Sequence, residues 1–202
     1  MKRAYAVAAG LAILSMTPAM AGNIKERTTY FMVKGSTFAE LDRALGASGP
    51  RITSLGGERR AGATQVGFDG HVTYKPVGSR CGIGNASFSL DLHTTLPRWE
   101  PPKRADAETR ILWKTLHEDI VTHERHHSVI AKNWLRRIEA TVSKLPAERD
   151  CPSMERVVNA TTRKLLAQHA RAQLAFDADE SEVIDARLQR KVAHNMRQLA
   201  GN

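Results

Sequence analysis

The feature that most constrains this chain is one complete H-E-x-x-H motif, His123 to His127, within the run EDIVTHERHHSVI. Side chains four residues apart lie on the same face of an α-helix, so His123 and His127 can bind one metal ion together. Glu124 lies beside them, where its carboxylate can accept a proton from a metal-activated water without being a ligand. The motif therefore predicts a helix that carries a catalytic zinc site.

Hydrophobic periodicity predicts that the two motif histidines face the protein interior. Between Asp106 and Leu145 the apolar residues form one stripe, and both His123 and His127 fall inside it. A buried imidazole without a partner costs roughly a few kcal/mol, and a shared metal ion would satisfy both rings. The alternatives, a solvated His-rich patch or core histidines bonded to the backbone, explain the motif less well. The stripe consists of Leu112, Leu116, Ile120, Ile130, Trp134, Ile138 and Leu145.

The first 21 residues are typical of a secretory signal peptide. Lys2 and Arg3 form a basic start, a short apolar run follows, and Ala19-Met20-Ala21 is an A-x-A cleavage signal. We therefore predict cleavage before Gly22 and a periplasmic or secreted mature protein; the alternative is an uncleaved N-terminal anchor. No later stretch reaches about 18 uninterrupted apolar residues, so no integral membrane span is expected.

The two cysteines, Cys81 and Cys151, agree with export, and neither has a metal-ligand spacing such as C-x-x-C. In an oxidising compartment they are expected to form one disulfide. This bond would link the sheet region to the helical region and contribute up to about 4 kcal/mol to the free energy of unfolding. The alternative is a pair of buried free thiols.

The chain is basic, with a formal net charge of +9, of which two charges would be lost with the signal peptide. A basic surface favours anionic partners, such as an acidic polymer or membrane headgroups. Lysine and arginine are spread along the predicted helices, few aromatic residues lie among them, and no nucleic-acid-binding motif occurs. We therefore expect no nucleic acid partner, and a solvated basic face explains the charge more simply than a binding site for an anionic polymer.

The first half of the mature chain, residues 22–102, is predicted to be mainly sheet. Thr37 and Glu40 form a capping box for a short helix that ends near Leu45, and residues 46–62 are predicted to be loop. Asp69-Gly70 is expected to form a hairpin turn or a bulge. The sheet is expected to be small and antiparallel, with strands over Thr28–Val33, Ala63–Tyr74 and Ala86–Leu96.

The second half, residues 103–202, is predicted to be helical. The motif helix would begin after an N-cap at Asp106 and end near Leu145, before Pro146. A second helix would run from Pro152 to Phe176, and the acidic segment Asp177–Glu182 would separate it from a last polar helix over about Ser181–Leu199. Residues 22–202 are thus expected to form one α+β domain with an H-E-x-x-H helix packed on a second long helix, the zincin-like arrangement.

A catalytic zinc ion needs a third protein ligand. The extended metzincin pattern would require glycine at 130 and histidine at 133, whereas this chain has Ile130 and Asn133. The ligand must therefore come from the second helix, and helix geometry places it about 22 to 26 residues past Pro152.

Asp177 fits this depth and is the first candidate, although it could instead be a residue of the helix C-terminal turn. His169 is the second candidate, but it is about two turns too shallow and could be a core histidine. Glu182 is the third. Glu180 and Glu182 are within reach only if the helix continues beyond Phe176.

The chain resembles the bacterial predicted secreted zinc-dependent proteases, also called the domain of unknown function 922, over most of its mature length. The resemblance rests on the H-E-x-x-H motif and on four shorter segments, and where a His-Gly pair would be expected after the aspartate this chain has Glu182-Val183. It implies a zinc-dependent protease. The shorter segments are Thr28–Val33 (TTYFMV), Leu96–Trp99 (LPRW), Cys151 and Phe176-Asp177.

Together these features predict an exported zinc metallopeptidase that acts on a peptide or protein substrate. Zn²⁺ would be held by His123, His127 and Asp177, with Glu124 as the general base. Two alternatives stay open: a non-catalytic envelope protein that binds an anionic polymer, and a hydrolase of cell-wall amides.

Overall fold

The computed structural model describes residues 23–52 and 58–200; the predicted signal peptide, residues 1–21, lies outside them. Within the described residues the elements follow one another as strand, helix, four strands and two long helices. They are β1 (Asn23–Val33), α1 (Phe38–Ser48), β2 (Arg51–Ile52), β3 (Glu58–Arg59), β4 (Ala63–Val77), β5 (Arg80–Trp99), α2 (Ala107–Val142) and α3 (Cys151–Ala200). The chain is therefore α+β.

The main sheet is mixed, with strand order β1-β5-β4. Strands β4 and β5 pair antiparallel, whereas β1 pairs with β5 in parallel, with Asn23 opposite Ser89 and Val33 opposite Trp99. The prediction of an antiparallel sheet is thus wrong for β1. A parallel pair needs a long connection, and the segment that contains α1 and the short β2–β3 pair supplies it before the chain enters the β4–β5 hairpin.

The predicted turn at Asp69-Gly70 is absent, because β4 runs through these residues as one strand. Gly70 lies against the ring of Phe88 on β5, where a Cβ would come within 2.5 Å of Cδ1. The glycine therefore makes room for an aromatic ring instead of forming a turn. The hairpin turn is at Gly78-Ser79, where Gly78 has φ +61°, and the irregularity in register is between Thr73 and Tyr74.

Helix α1 begins as the sequence predicts. The Thr37 hydroxyl accepts from the backbone N–H of Glu40, and the Glu40 carboxylate accepts from the backbone N–H of Thr37. The helix extends to Ser48, so it takes up the start of the predicted loop, and β2 and β3 pair within the remainder.

Helix α2 confirms the predicted N-cap, since Asp106 accepts from the backbone N–H of Thr109 at 2.6 Å, and it ends at Val142. The helix packs on β5 with one face and on α3 with another. The core that these elements share contains Phe88, Leu90, Leu92, Ala131, Leu135, Ile138, Val142, Met154, Val158 and Leu165.

Helix α3 is one continuous helix of 50 residues, so the predicted break at Asp177–Glu182 and the separate last helix are wrong. The acidic segment contains neither glycine nor proline. Its Glu180 forms an ion pair with Arg187 two turns later, at 2.6 Å. One of its carboxylates is therefore paired along the helix, and no residue of the segment terminates the helix.

The predicted disulfide is confirmed: Cys81 on β5 is bonded to Cys151, the first residue of α3. Next to it, the backbone groups of Cys81 and Glu148 exchange two hydrogen bonds of 2.8 Å. The bond therefore fixes the start of α3 to the sheet. None of the described helices is long and apolar enough to span a membrane.

Replacing both cysteines with alanine should lower the free energy of unfolding by up to about 4 kcal/mol, since the bond closes a loop of 70 residues. Denaturant unfolding monitored by circular dichroism measures this change. The native protein treated with a reductant serves as the control and should show a similar loss. An unchanged unfolding midpoint in both samples would contradict the prediction.

Candidate metal centre

His123 and His127 on α2 meet Asp177 on α3. The Nε2 atoms of the two histidines lie 3.0 Å apart, and Asp177 Oδ1 lies 3.2 Å from His123 Nε2 and 3.0 Å from His127 Nε2. These three residues are the group that could hold a metal ion among the described residues, with one ligand atom from each within 4.8 Å of the others. Asp177 thus lies at the depth predicted for a third ligand, and because α3 continues past it, the alternative that it ends a helix is wrong.

The donor set and spacing fit a zinc ion. Two imidazole nitrogens and one carboxylate oxygen are common zinc ligands at about 2.0–2.2 Å, which in a tetrahedral site places them about 3.3 Å from one another. The observed separations of 3.0 to 3.2 Å are close to this value. That the three residues bind an ion stays a prediction.

A glutamine fixes the orientation of His127. Its Nδ1–H donates to Gln173 Oε1 at 2.6 Å, and Gln173 Nε2 donates to the backbone oxygen of His127 at 3.1 Å. Because this bond places the ring proton on Nδ1, Nε2, which faces Asp177 and His123, would be free to act as a ligand when an ion is bound.

The two other candidates for the third ligand lie elsewhere. His169 is buried, its Nε2 accepts from Gln173 Nε2 at 2.9 Å, and its ring packs edge-on against Phe68 on β4. It therefore supports Gln173 and does not belong to the three-residue group. Glu182 is exposed and is also outside that group.

The ring of His123 has fewer hydrogen-bond partners than the ring of His127. Its Nε2 faces Asp177, but its Nδ1 is buried and has no hydrogen-bond partner. The nearest acidic group is Glu180, with Oε2 3.9 Å from Nδ1. The Phe176 ring packs on His123 with centroids 5.0 Å apart, and on His127 at the same distance, so an aromatic ring covers one side of the pair.

Glu124 is buried on the sheet side of α2, and the sheet supplies its partner. Thr64 Oγ1 on β4 donates to Glu124 Oε2 at 2.8 Å. Gly62, just before β4, approaches so closely that a Cβ there would lie 2.9 Å from Glu124 Oε1. Burial raises the pKa of Glu124 above its ordinary value, although the Thr64 hydrogen bond and the nearby imidazoles act in the opposite direction.

Ionisable groups on α2 and α3 shift each other's pKa values. Burial alone would raise the pKa of Asp177, but hydrogen bonds from His123 and His127 outweigh it and hold that pKa well below its usual range. Burial alone would lower the pKa of His127, yet its bonds to Asp177 and Gln173 outweigh burial, so the net shift is upward. These opposite shifts are the signature of a carboxylate in close contact with imidazoles.

A second cluster of charges lies one turn from the histidines. Asp119 on α2 is only 2% exposed and accepts from Arg187 at 2.9 and 3.0 Å and from Lys191 at 2.8 Å. The same Arg187 guanidinium donates to both carboxylate oxygens of Glu180, at 3.0 and 2.6 Å. This network joins the C-terminal half of α3 to α2 beside the site.

Sequence reasoning missed several residues of the site. Thr64 lies on a predicted strand and Gly62 at the end of a predicted loop, and nothing local to either segment shows that it will lie over Glu124. Gln173 could have been found, since it lies one helical turn before Asp177 on the same face. Asp119 lies four residues before His123, but its partners Arg187 and Lys191 become visible only with a continuous α3.

By fold and site, the chain is an α+β protein with a mixed three-stranded sheet and a His-His-Asp cluster between two long helices. It belongs to the family described as "Bacterial protein of unknown function (DUF922)", whose model matches residues 28–183, more than half of the chain. The matched range contains the motif, Asp177 and Glu180, and it confirms the resemblance to the domain of unknown function 922, whereas the zinc-dependent protease activity stays a prediction. Comparisons with the curated proteins and with the solved structures found no match.

Replacing Thr64 with valine should raise the pKa of Glu124 further, because valine cannot donate to the buried carboxylate. At a pH where Glu124 is ionised, the variant should also lose roughly 1–3 kcal/mol of unfolding free energy. Carbon-13 NMR of the glutamate carboxyls in metal-free protein measures the pKa. Thr94→Val is the matched control, since Thr94 contacts the Thr64 hydroxyl at 3.2 Å on the neighbouring strand. An equal shift in both variants would argue against the assigned role.

Proposed function

We propose that this chain is an exported zinc metallopeptidase with a zincin-like domain over residues 22–202. The observation that carries the proposal is the position of Asp177 Oδ1, within 3.2 Å of the Nε2 atoms of both motif histidines. A chance H-E-x-x-H sequence would not be expected to meet a carboxylate from another helix at ligand spacing. The buried carboxylate of Glu124 adds the base that hydrolysis needs.

Each residue then has a defined task. His123, His127 and Asp177 would hold Zn²⁺, which when bound lowers the pKa of a water to about 7 and polarises a carbonyl oxygen. Glu124 would accept the proton of the attacking water and deliver it to the leaving amine. Gln173 keeps the Nε2 lone pair of His127 free for the ion.

The environment of Glu124 suits a general base. A carboxylate is a more effective base when its pKa lies closer to the working pH, and burial shifts the pKa of Glu124 in that direction. Thr64 directs one carboxylate oxygen by its hydrogen bond, and Gly62 leaves room beside the other. The sheet would thus orient the base while the two helices hold the ion.

Export is supported by two features. The Cys81–Cys151 disulfide is typical of oxidising compartments, and residues 1–21 have the composition of a signal peptide. We therefore place the mature enzyme in the periplasm or outside the cell, with a peptide or protein as its substrate.

The first test is the metal content of the purified mature protein. We expect one zinc ion per chain, lost in His127→Ala and in Asp177→Ala because each removes a ligand atom from the cluster. Elemental mass spectrometry measures the stoichiometry. His169→Ala is the matched control and should retain zinc, since its ring contacts Gln173 and not the cluster.

Two results would contradict this assignment. A native chain without zinc, even after reconstitution, would remove the basis of the catalytic proposal. Zinc retained by Asp177→Ala but lost by His169→Ala would show that the ligand set is wrong while leaving a metal site in place.

The second test addresses the base. Glu124→Gln should reduce peptide hydrolysis by about 10²–10⁴-fold, because the amide cannot take the proton from water, while zinc binding persists. Hydrolysis of an unfolded protein substrate and zinc content are measured on the same preparation. The amide can still accept from Thr64, so the fold should be unchanged.

Activity is to be compared on an unfolded protein and on purified peptidoglycan. Turnover of the first alone supports a peptidase, and turnover of the second alone would assign cell-wall amides as substrates. Undiminished hydrolysis in Glu124→Gln would refute the role of Glu124.

A further inference from the structure

We propose that Glu180 is a positioning residue for His123: its carboxylate accepts the Nδ1–H of that histidine when the ion is bound, and Arg187 holds the carboxylate in place. The inference rests on the proposed zinc site and concerns Glu180, which the sequence places within reach of the ion only if α3 continues beyond Phe176. In this role Glu180 contacts His123 and not the ion.

The ring of His123 has one nitrogen without a hydrogen-bond partner, Nδ1. If His123 Nε2 binds zinc, the ring proton must be on Nδ1, which then becomes a buried donor. That atom has no hydrogen-bond partner, and Glu180 Oε2 lies 3.9 Å away. A movement of about 1 Å would bring the two atoms to hydrogen-bond distance. A buried donor left without an acceptor is costly, so the carboxylate is expected to close this gap.

Arg187 holds the Glu180 carboxylate in place. Arg187 donates to both of its oxygens, so the guanidinium fixes the plane of the carboxylate. Each carboxylate oxygen has two lone pairs, which leaves Oε2 able to accept from His123 as well. The arginine also neutralises the charge that Glu180 brings near the site.

Arg187 is in turn anchored on α2. It makes two hydrogen bonds to Asp119, which Lys191 also contacts, and Asn195 donates to Thr115 Oγ1 at 2.8 Å two turns further along α3. Asp119 precedes His123 by four residues on the same helix. The network therefore starts and ends on α2, and it fixes Glu180 relative to the histidine that it is proposed to support.

The spacing of three polar residues on α3 places one side chain beside the Nδ1 atom of each motif histidine. Gln173, Asp177 and Glu180 lie at positions i, i+4 and i+7, which share one face of a helix. Asp177 faces both Nε2 atoms, and Gln173 already binds the Nδ1 of His127. Glu180 occupies the equivalent place beside the Nδ1 of His123. Groups that accept a hydrogen bond from the second ring nitrogen of a metal-binding histidine orient the ring and raise the affinity for the metal.

The test compares histidine N–H resonances in the zinc-loaded protein labelled with nitrogen-15 at histidine. Two slowly exchanging Nδ1–H resonances are expected, from His123 and His127, since both groups are buried and hydrogen-bonded. Glu180→Ala should remove the resonance of His123 alone, and Gln173→Ala that of His127 alone. Glu180→Gln retains an acceptor and should restore the His123 resonance.

Zinc affinity supplies the second readout. By chelator competition, Glu180→Ala should bind zinc about 10–100-fold more weakly than the native chain. Glu180→Gln should show a smaller loss. The matched control is Glu182→Gln, which removes the same charge from an exposed position two residues later and should leave affinity and both resonances unchanged.

The outcomes separate this inference from the proposed function. A native chain that binds zinc and hydrolyses peptides, with affinity and the His123 resonance unchanged in Glu180→Ala, overturns the role of Glu180 alone. A native chain that binds no zinc overturns both. Should Glu180→Ala fail to fold, Glu180→Met fills the same space without an acceptor and is measured in its place.

Discussion

The buried carboxylate of Asp119 is the constraint on which the arrangement of the helices depends. An ionised group that is 2% exposed must be paired, and its partners, Arg187 and Lys191, lie far along α3. Burial alone would raise the pKa of Asp119, but these two cations outweigh it and keep the pKa below its ordinary value. The pairing requires α3 to continue past Phe176 and to lie along α2, and this in turn brings Asp177 and Glu180 to the histidines.

The sheet completes the site from the other side of α2. Neighbouring positions of a helix point about 100° apart, and in this structure His123 and Glu124 face different elements. The histidine faces α3 and the glutamate faces β4, where Thr64 binds it. The H-E-x-x-H helix is therefore enclosed on both sides, and the Cys81–Cys151 bond ties α3 to the sheet.

The sequence predicts those parts of this arrangement that depend on local pattern. The motif helix with its N-cap at Asp106 and the capping box of α1 follow from periodicity and capping rules. The position of Asp177 follows from the rise per residue along two antiparallel helices. What it does not predict depends on contacts distant in sequence. A glycine is needed at position 70 because the ring of Phe88 lies against it. The parallel pairing of β1 follows from a crossover connection. The continuity of α3 depends on ion pairs between residues about 70 positions apart.

The charges of the enclosed groups also favour a divalent cation. Asp177, Glu124, Glu180 and Asp119 bring four carboxylates into one connected region, whereas Arg187 and Lys191 bring two cations. With neutral histidines the region would carry an excess of two negative charges. The zinc ion that we propose for this site would balance this excess of negative charge and would leave Glu124 ionised, as a general base must be.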